Sequence, residues 1–171
     1  MIATTSFRQN NLSLANTKTF LFSAFFVIGN VVLPQICHLI PDGGKILLPI
    51  YFFTLIASYK FGLKVGLLTA IFSPLINCLF FGMPELSLLP VILIKSCLLA
   101  IAAAWIANKS QSISLLLIVL AILTYQVLGG FAEWIITSDF MAAVQDFRLG
   151  FPGMFIQWIG GFGILKLIAK E

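Results

Sequence analysis

Residues 43–90 read GGKILLPIYFFTLIASYKFGLKVGLLTAIFSPLINCLFFGMPELSLLP, and their only charged members are Lys45, Lys60, Lys64 and Glu85. Two apolar runs, 46–59 and 63–81, flank a basic break at residues 60–62. The second run has about the 20 apolar residues that a membrane-crossing helix needs. The first is too short for a full perpendicular crossing, and its Leu48-Pro49 opening suits a first helical turn, so neighbouring helices are expected to shield it. Pro74 inside the second run predicts a kink, which a bundle tolerates because nearby groups satisfy the freed backbone. Working outward, the same division at polar or Pro/Gly-rich breaks predicts six helices, at about 19–37, 46–59, 63–81, 87–107, 113–136 and 151–169. The expected fold is a single-domain, all-α integral membrane protein, a six-transmembrane-helix bundle over residues 1–171 with a polar segment at 1–18.

Composition agrees with this reading. Of 171 residues, 60% are hydrophobic and 9% charged, and mean hydropathy is +1.08. Soluble domains carry about a quarter charged residues, and disordered chains combine low hydrophobicity with high charge. The net charge of +4 comes from ten basic residues scattered singly, which is a topological signal and gives no footprint for nucleic acid. With the N-terminus cytoplasmic, the inner side receives Arg8, Lys18, Lys60, Lys64, Lys109, Lys166 and Lys170, and the outer side Lys45 and Arg148. That seven-to-two bias predicts both termini inside, in the plasma membrane of a prokaryote. Asp42, Glu85, Asp139 and Asp146 then fall in outer segments. The first apolar run ends at Pro34 without a small-x-small cleavage site and is read as a span, not a signal peptide.

The outer connections look structured and the inner ones short and basic. The first outer loop contains the turn-forming Pro41-Asp42-Gly43, and the last, residues 137–150, alternates apolar and charged residues in the manner of a short interfacial helix. This asymmetry points to a protein that handles something from outside. Asp42-Gly43-Gly44-Lys45 is not a Walker A loop, because Leu39 and Ile46 stand where that motif needs Gly and Ser or Thr. Gly161-Phe162-Gly163 lacks the strand-turn-helix context of a dinucleotide site. Cys37, Cys78 and Cys97 form no C-x-x-C pair, and a single histidine, His38, gives no metal-ligand spacing and no multi-His centre. No enzyme activity, metal or cofactor is therefore expected. Ser96, Ala100, Ala103, Ala104 and Ala107 form a small-residue stripe, and Gly62 and Gly66 a second, as expected where membrane helices approach closely.

Two ionisable residues lie inside apolar runs, Lys95 about eight residues from the outer end of its span and Glu133 near the outer end of the next. Charges in a membrane are costly, so they face a partner or a cavity and mark function by default. Lys95 and Glu133 either pair with each other or line an outward-facing pocket with Asn77, Gln126 and Gln157, to which His38 and Trp158 add a ring each. Tyr51, Tyr125 and Trp134 offer further stacking faces or act as interface anchors.

The stretch 43–90 resembles the substrate-binding S components of energy-coupling factor (ECF-type) vitamin transporters. The resemblance rests on Gly44 followed by Leu48-Pro49, Gly62 and Gly66, Ser73-Pro74-Leu75, Gly82-Met83-Pro84 and Leu89-Pro90, and covers about a third of the chain. It implies a six-helix protein that binds one vitamin or related small molecule from outside with high affinity. It also implies docking on a transmembrane T component carried by two cytoplasmic ATPases, and toppling in the bilayer to release substrate inward. Many relatives have an acidic residue in the fourth helix after the Leu-Pro element, whereas the ionisable residue in that stretch here is Lys95; relatives also often carry an Ala-x-x-x-Ala on the first helix, where this chain offers only Ser23, Ala24 and Gly29 without that spacing. An unpaired Lys95 in a low-dielectric pocket favours an anionic ligand, such as the carboxylate-bearing pantothenate, biotin, lipoate or nicotinate. The alternative is a self-sufficient small secondary transporter, which calls for coupling-ion sites and often internal repeats; the first three helices are not visibly repeated in the last three.

Overall fold

The computed structural model describes residues 5–169, and the first four residues and Lys170, one of the inner charges above, lie outside that range. Among the described residues, the only strands are β1 (Thr5–Ser6) and β2 (Ser112–Ile113), which pair antiparallel, Thr5 with Ile113 and Ser6 with Ser112. Five helices are long and apolar enough to cross a membrane: α1 (Thr17–Cys37), α4 (Leu63–Phe81), α5 (Leu89–Ser110), α6 (Leu115–Thr137) and α9 (Phe151–Ile168). At ~1.5 Å per residue they are roughly 27–35 Å long, matching a hydrocarbon core of about 30 Å. Their outward faces are apolar: Phe20, Phe25 and Ile28 on α1, Leu79 and Phe80 on α4, Trp105 on α5, Phe131 and Ile135 on α6, and Phe155 on α9 are all exposed. An apolar surface that wraps the whole bundle is untenable in water and is what lipid requires. The chain is a multi-pass helical membrane bundle.

The second apolar run departs from the expected single helix at 46–59. It divides into α2 (Gly43–Leu47), a 3₁₀ turn (Pro49–Tyr51) and α3 (Phe52–Phe61). The break is at Leu48, whose φ of 45° is left-handed. Pro49 keeps α2 from continuing, because a proline ring disfavours the right-handed helical region for the residue before it. The ten-residue α3 is the hub of the bundle. Every residue from 54 to 59 is buried, and α3 packs against α1, α4, α5 and α9, so its shortness is shielded by protein as anticipated. Its polar groups are satisfied internally. Asn30 on α1 donates to Thr54 Oγ1 (2.9 Å) and Ser73 Oγ (3.2 Å) and accepts from the Phe53 N–H (3.1 Å). Ser58 donates to the Thr54 carbonyl one turn back (2.7 Å).

The other boundaries differ from expectation by up to three residues, and α4 matches it and continues through Pro74. The small-residue stripe of α5 is wholly buried inside the bundle. Two short helices, α7 (Phe140–Ala143) and α8 (Gln145–Arg148), replace the single interfacial helix expected in the last long loop. The polar N-terminal segment is built into one end of the bundle. There the Phe7, Asn10 and Leu12 N–H groups donate to the carbonyls of Gln111, Lys60 and Phe61, and the buried Gln9 amide reaches those of Ser58, Tyr59 and Ala104. Lys60 donates to the Ile168 carbonyl at this same end (2.8 Å). Residues 38–51, 82–88 and 138–150 close the opposite end.

Candidate functional site

A cavity of about 760 Å³ opens at the end closed by those three loops. Its wall combines the C-terminal ends of α1 and α4, the first turns of α5, the last turns of α6, the 3₁₀ turn, Ala142 of α7, and Gln145 and Asp146 of α8. Leu48, Pro49, Ile50, Val91 and Ile92 make most of the interior apolar. α9 lies close behind: at Gly153 it abuts the Leu47 backbone so closely that no side chain would fit.

At its polar point, Lys95 Nζ donates to Glu133 Oε2 at 2.5 Å and to Asp146 Oδ2 at 2.7 Å. The three side chains are only 4%, 10% and 13% exposed. Because α5 starts at Leu89, not at residue 87, Lys95 is six residues, or roughly 9 Å, into its helix. The neighbouring helix is shaped to receive it. A Cβ at Gly129 would lie 2.5 Å from Lys95 Cγ, so the lysine stem crosses α6 at the glycine and its ammonium meets Glu133 one turn further on. Asp146 arrives from α8, which holds the last long loop over the cavity.

Of the residues singled out in the sequence, Lys95, Glu133, Asn77 and His38 line the cavity. Asn77 is buried and fully engaged: its amide donates to the carbonyls of Asn30 and Ser73 (2.9 Å each) and accepts from Gln35 (3.2 Å), sealing the α1–α4 seam. His38 is half-buried with its ring against Gly44, and its Nδ1 has no hydrogen-bond partner among the described residues. Gln126, Gln157 and Trp158 are not on the wall. Tyr51 occupies it and stands in front of Tyr125, with ring centroids 5.0 Å apart. Tyr125 in turn donates to Gln157 Oε1 and accepts from Gln126 (3.1 Å each), while Gln157 also holds the Leu48 carbonyl (3.3 Å). The two glutamines therefore support the tyrosine from behind. Trp158 donates its indole N–H to the Leu115 carbonyl at the start of α6 (2.8 Å), which is a packing role.

Asp146 is the residue that sequence reasoning missed as a partner, although its placement in the same outer segments as the end of Glu133's span was a usable signal. It changes the electrostatics. An anionic ligand requires an unpaired Lys95, and here the lysine is held by two carboxylates. The cluster carries one surplus negative charge. With the rim residues Asp42, Lys45 and Glu85, the cavity presents four carboxylates against two ammonium groups. The rim pair Lys45–Asp42, 3.9 Å apart and exposed, contributes little. A largely apolar cavity with a few converging charged groups is the usual form of a small-molecule site. No family model matches the chain, and neither the curated proteins nor the solved structures include one that is significantly similar to it.

Proposed function

We propose that this chain is a six-span protein of a prokaryotic plasma membrane, with both termini cytoplasmic, acting as the substrate-binding S component of an ECF-type vitamin transporter. The observation that carries the reading is the cavity of about 760 Å³ at the carboxylate-rich end of the bundle. Its size is within the ~300–1,000 Å³ usual for small-molecule sites. Its end bears only Lys45 and Arg148 among loop cations, so the positive-inside bias turns the opening outward. The short α3 makes the sixth crossing, bridged by α2 and the 3₁₀ turn and surrounded by other helices. In this role the chain captures a vitamin-like ligand from outside and depends on a T component and two ATPases for release inward; it performs no chemistry on the ligand.

A second reading, a self-sufficient secondary transporter, is favoured by one observation, the buried Lys95–Glu133–Asp146 cluster, because ionisable groups at membrane depth also build proton and ion relays. One experiment separates the two. Native mass spectrometry of gently purified protein identifies a co-purifying small molecule, and that compound is offered to liposomes containing the chain. The binding-subunit reading expects binding without accumulation under an imposed ion gradient, and accumulation once the T component, the ATPases and ATP are supplied. Gradient-driven accumulation by the chain alone would establish the second reading instead.

A further inference from the structure

We infer that the cavity selects a ligand that carries a positive charge on an apolar body, an inference that rests on the binding role proposed above. Lys95 uses one oxygen of each carboxylate, and among the described residues the second oxygens, Glu133 Oε1 and Asp146 Oδ1, accept no hydrogen bond. They belong to residues on the cavity wall. Two carboxylates sharing one ammonium leave a surplus negative charge at 10% and 13% side-chain exposure, and neither free oxygen is fully enclosed, so both are within reach of the cavity. Such a charge is costly in a low-dielectric setting until a cation compensates it. The one rim ammonium in the lining, Lys45, does not do so, since it is exposed and turned to Asp42.

A protonated amine or other organic cation placed against the two free oxygens completes the cluster as two cations with two anions. Its apolar remainder then lies along Leu48, Pro49, Ile50, Val91 and Ile92, with the Tyr51 ring on the same wall. A carboxylate at this point meets two like charges before it meets the one ammonium, which is already shared.

The test uses the purified full-length chain in detergent with two matched probe sets, 2-phenylethylamine, 2-phenylethanol and 3-phenylpropanoate, and tryptamine, tryptophol and indole-3-propanoate. Thermal unfolding and calorimetric titration read binding. The amines are expected to raise the unfolding temperature and to bind at least about tenfold more tightly than the alcohols, the scale of a close charge pair, with the carboxylates weakest. Asp146→Asn leaves Lys95 paired with Glu133 in a neutral cluster and should erase the amine preference. Asp139→Asn, the same charge change outside the cavity at a residue whose cap on α7 asparagine can replace, should retain it. Equal binding within each set, preference for the carboxylates, or no stabilisation by any probe would each overturn the cation inference. The liposome assay decides the transport role independently of these outcomes.

Discussion

Replacing Lys95 by Met tests the site most directly, because methionine keeps the stem that crosses Gly129 and removes only the ammonium. The loss strands Glu133 and Asp146, at 10% and 13% exposure, next to each other with no cation. Removing one member of a buried ion pair costs about 3–5 kcal/mol, chiefly through the uncompensated charge left behind. At about 2–4 °C per kcal/mol for a chain of this length, the unfolding temperature should fall by roughly 6–20 °C. The carboxylates behave differently. Asp146→Asn or Glu133→Gln removes one hydrogen bond to a charged group but also the surplus negative charge, so each should cost under about 2 kcal/mol. The triple variant Lys95→Met/Glu133→Gln/Asp146→Asn holds no charge and should recover more than half of the single Lys95→Met loss. Intrinsic fluorescence of Trp105, Trp134 and Trp158 during heating provides the readout. A Lys95→Met protein as stable as the parent, or a triple variant as unstable as Lys95→Met alone, would refute the charge-count argument.

In a cysteine-free background, Asp139→Cys should label with an impermeant thiol reagent on intact cells and Lys109→Cys should not; the reverse pattern would place the cavity mouth in the cytoplasm. Gly129→Ala drives a methyl into the Lys95 stem and should destabilise by about 1–3 kcal/mol, the usual cost of overpacking. Gly163→Ala on α9, where a methyl meets nothing within 4 Å, should leave the unfolding temperature unchanged or slightly raised. Equal effects of the two alanines in the same heating assay would show that Lys95 does not need the glycine.

The membrane class and the five long helices were legible in the chain itself, because crossing about 30 Å of hydrocarbon demands an uninterrupted apolar run and the breaks between runs carry charged or polar residues, glycine or proline. That is why α4 matched at both ends and the other long helices fell within three residues. Lys95 and Glu133 were legible for the same reason, as charges inside such runs. Hydropathy could not show the break at Leu48, since a left-handed residue is a matter of backbone sterics and leucine is apolar in any conformation. Nor could it place Gln157 and Trp158, which are adjacent in sequence but about 100° apart around α9; the rotation of a helix is set by what it packs against. Asp146 was visible only as a loop acid. Its meeting with Lys95, 51 positions away, depends on how α7 and α8 fold the last loop back over the cavity, so the sign of the site's charge is a property of the tertiary structure alone.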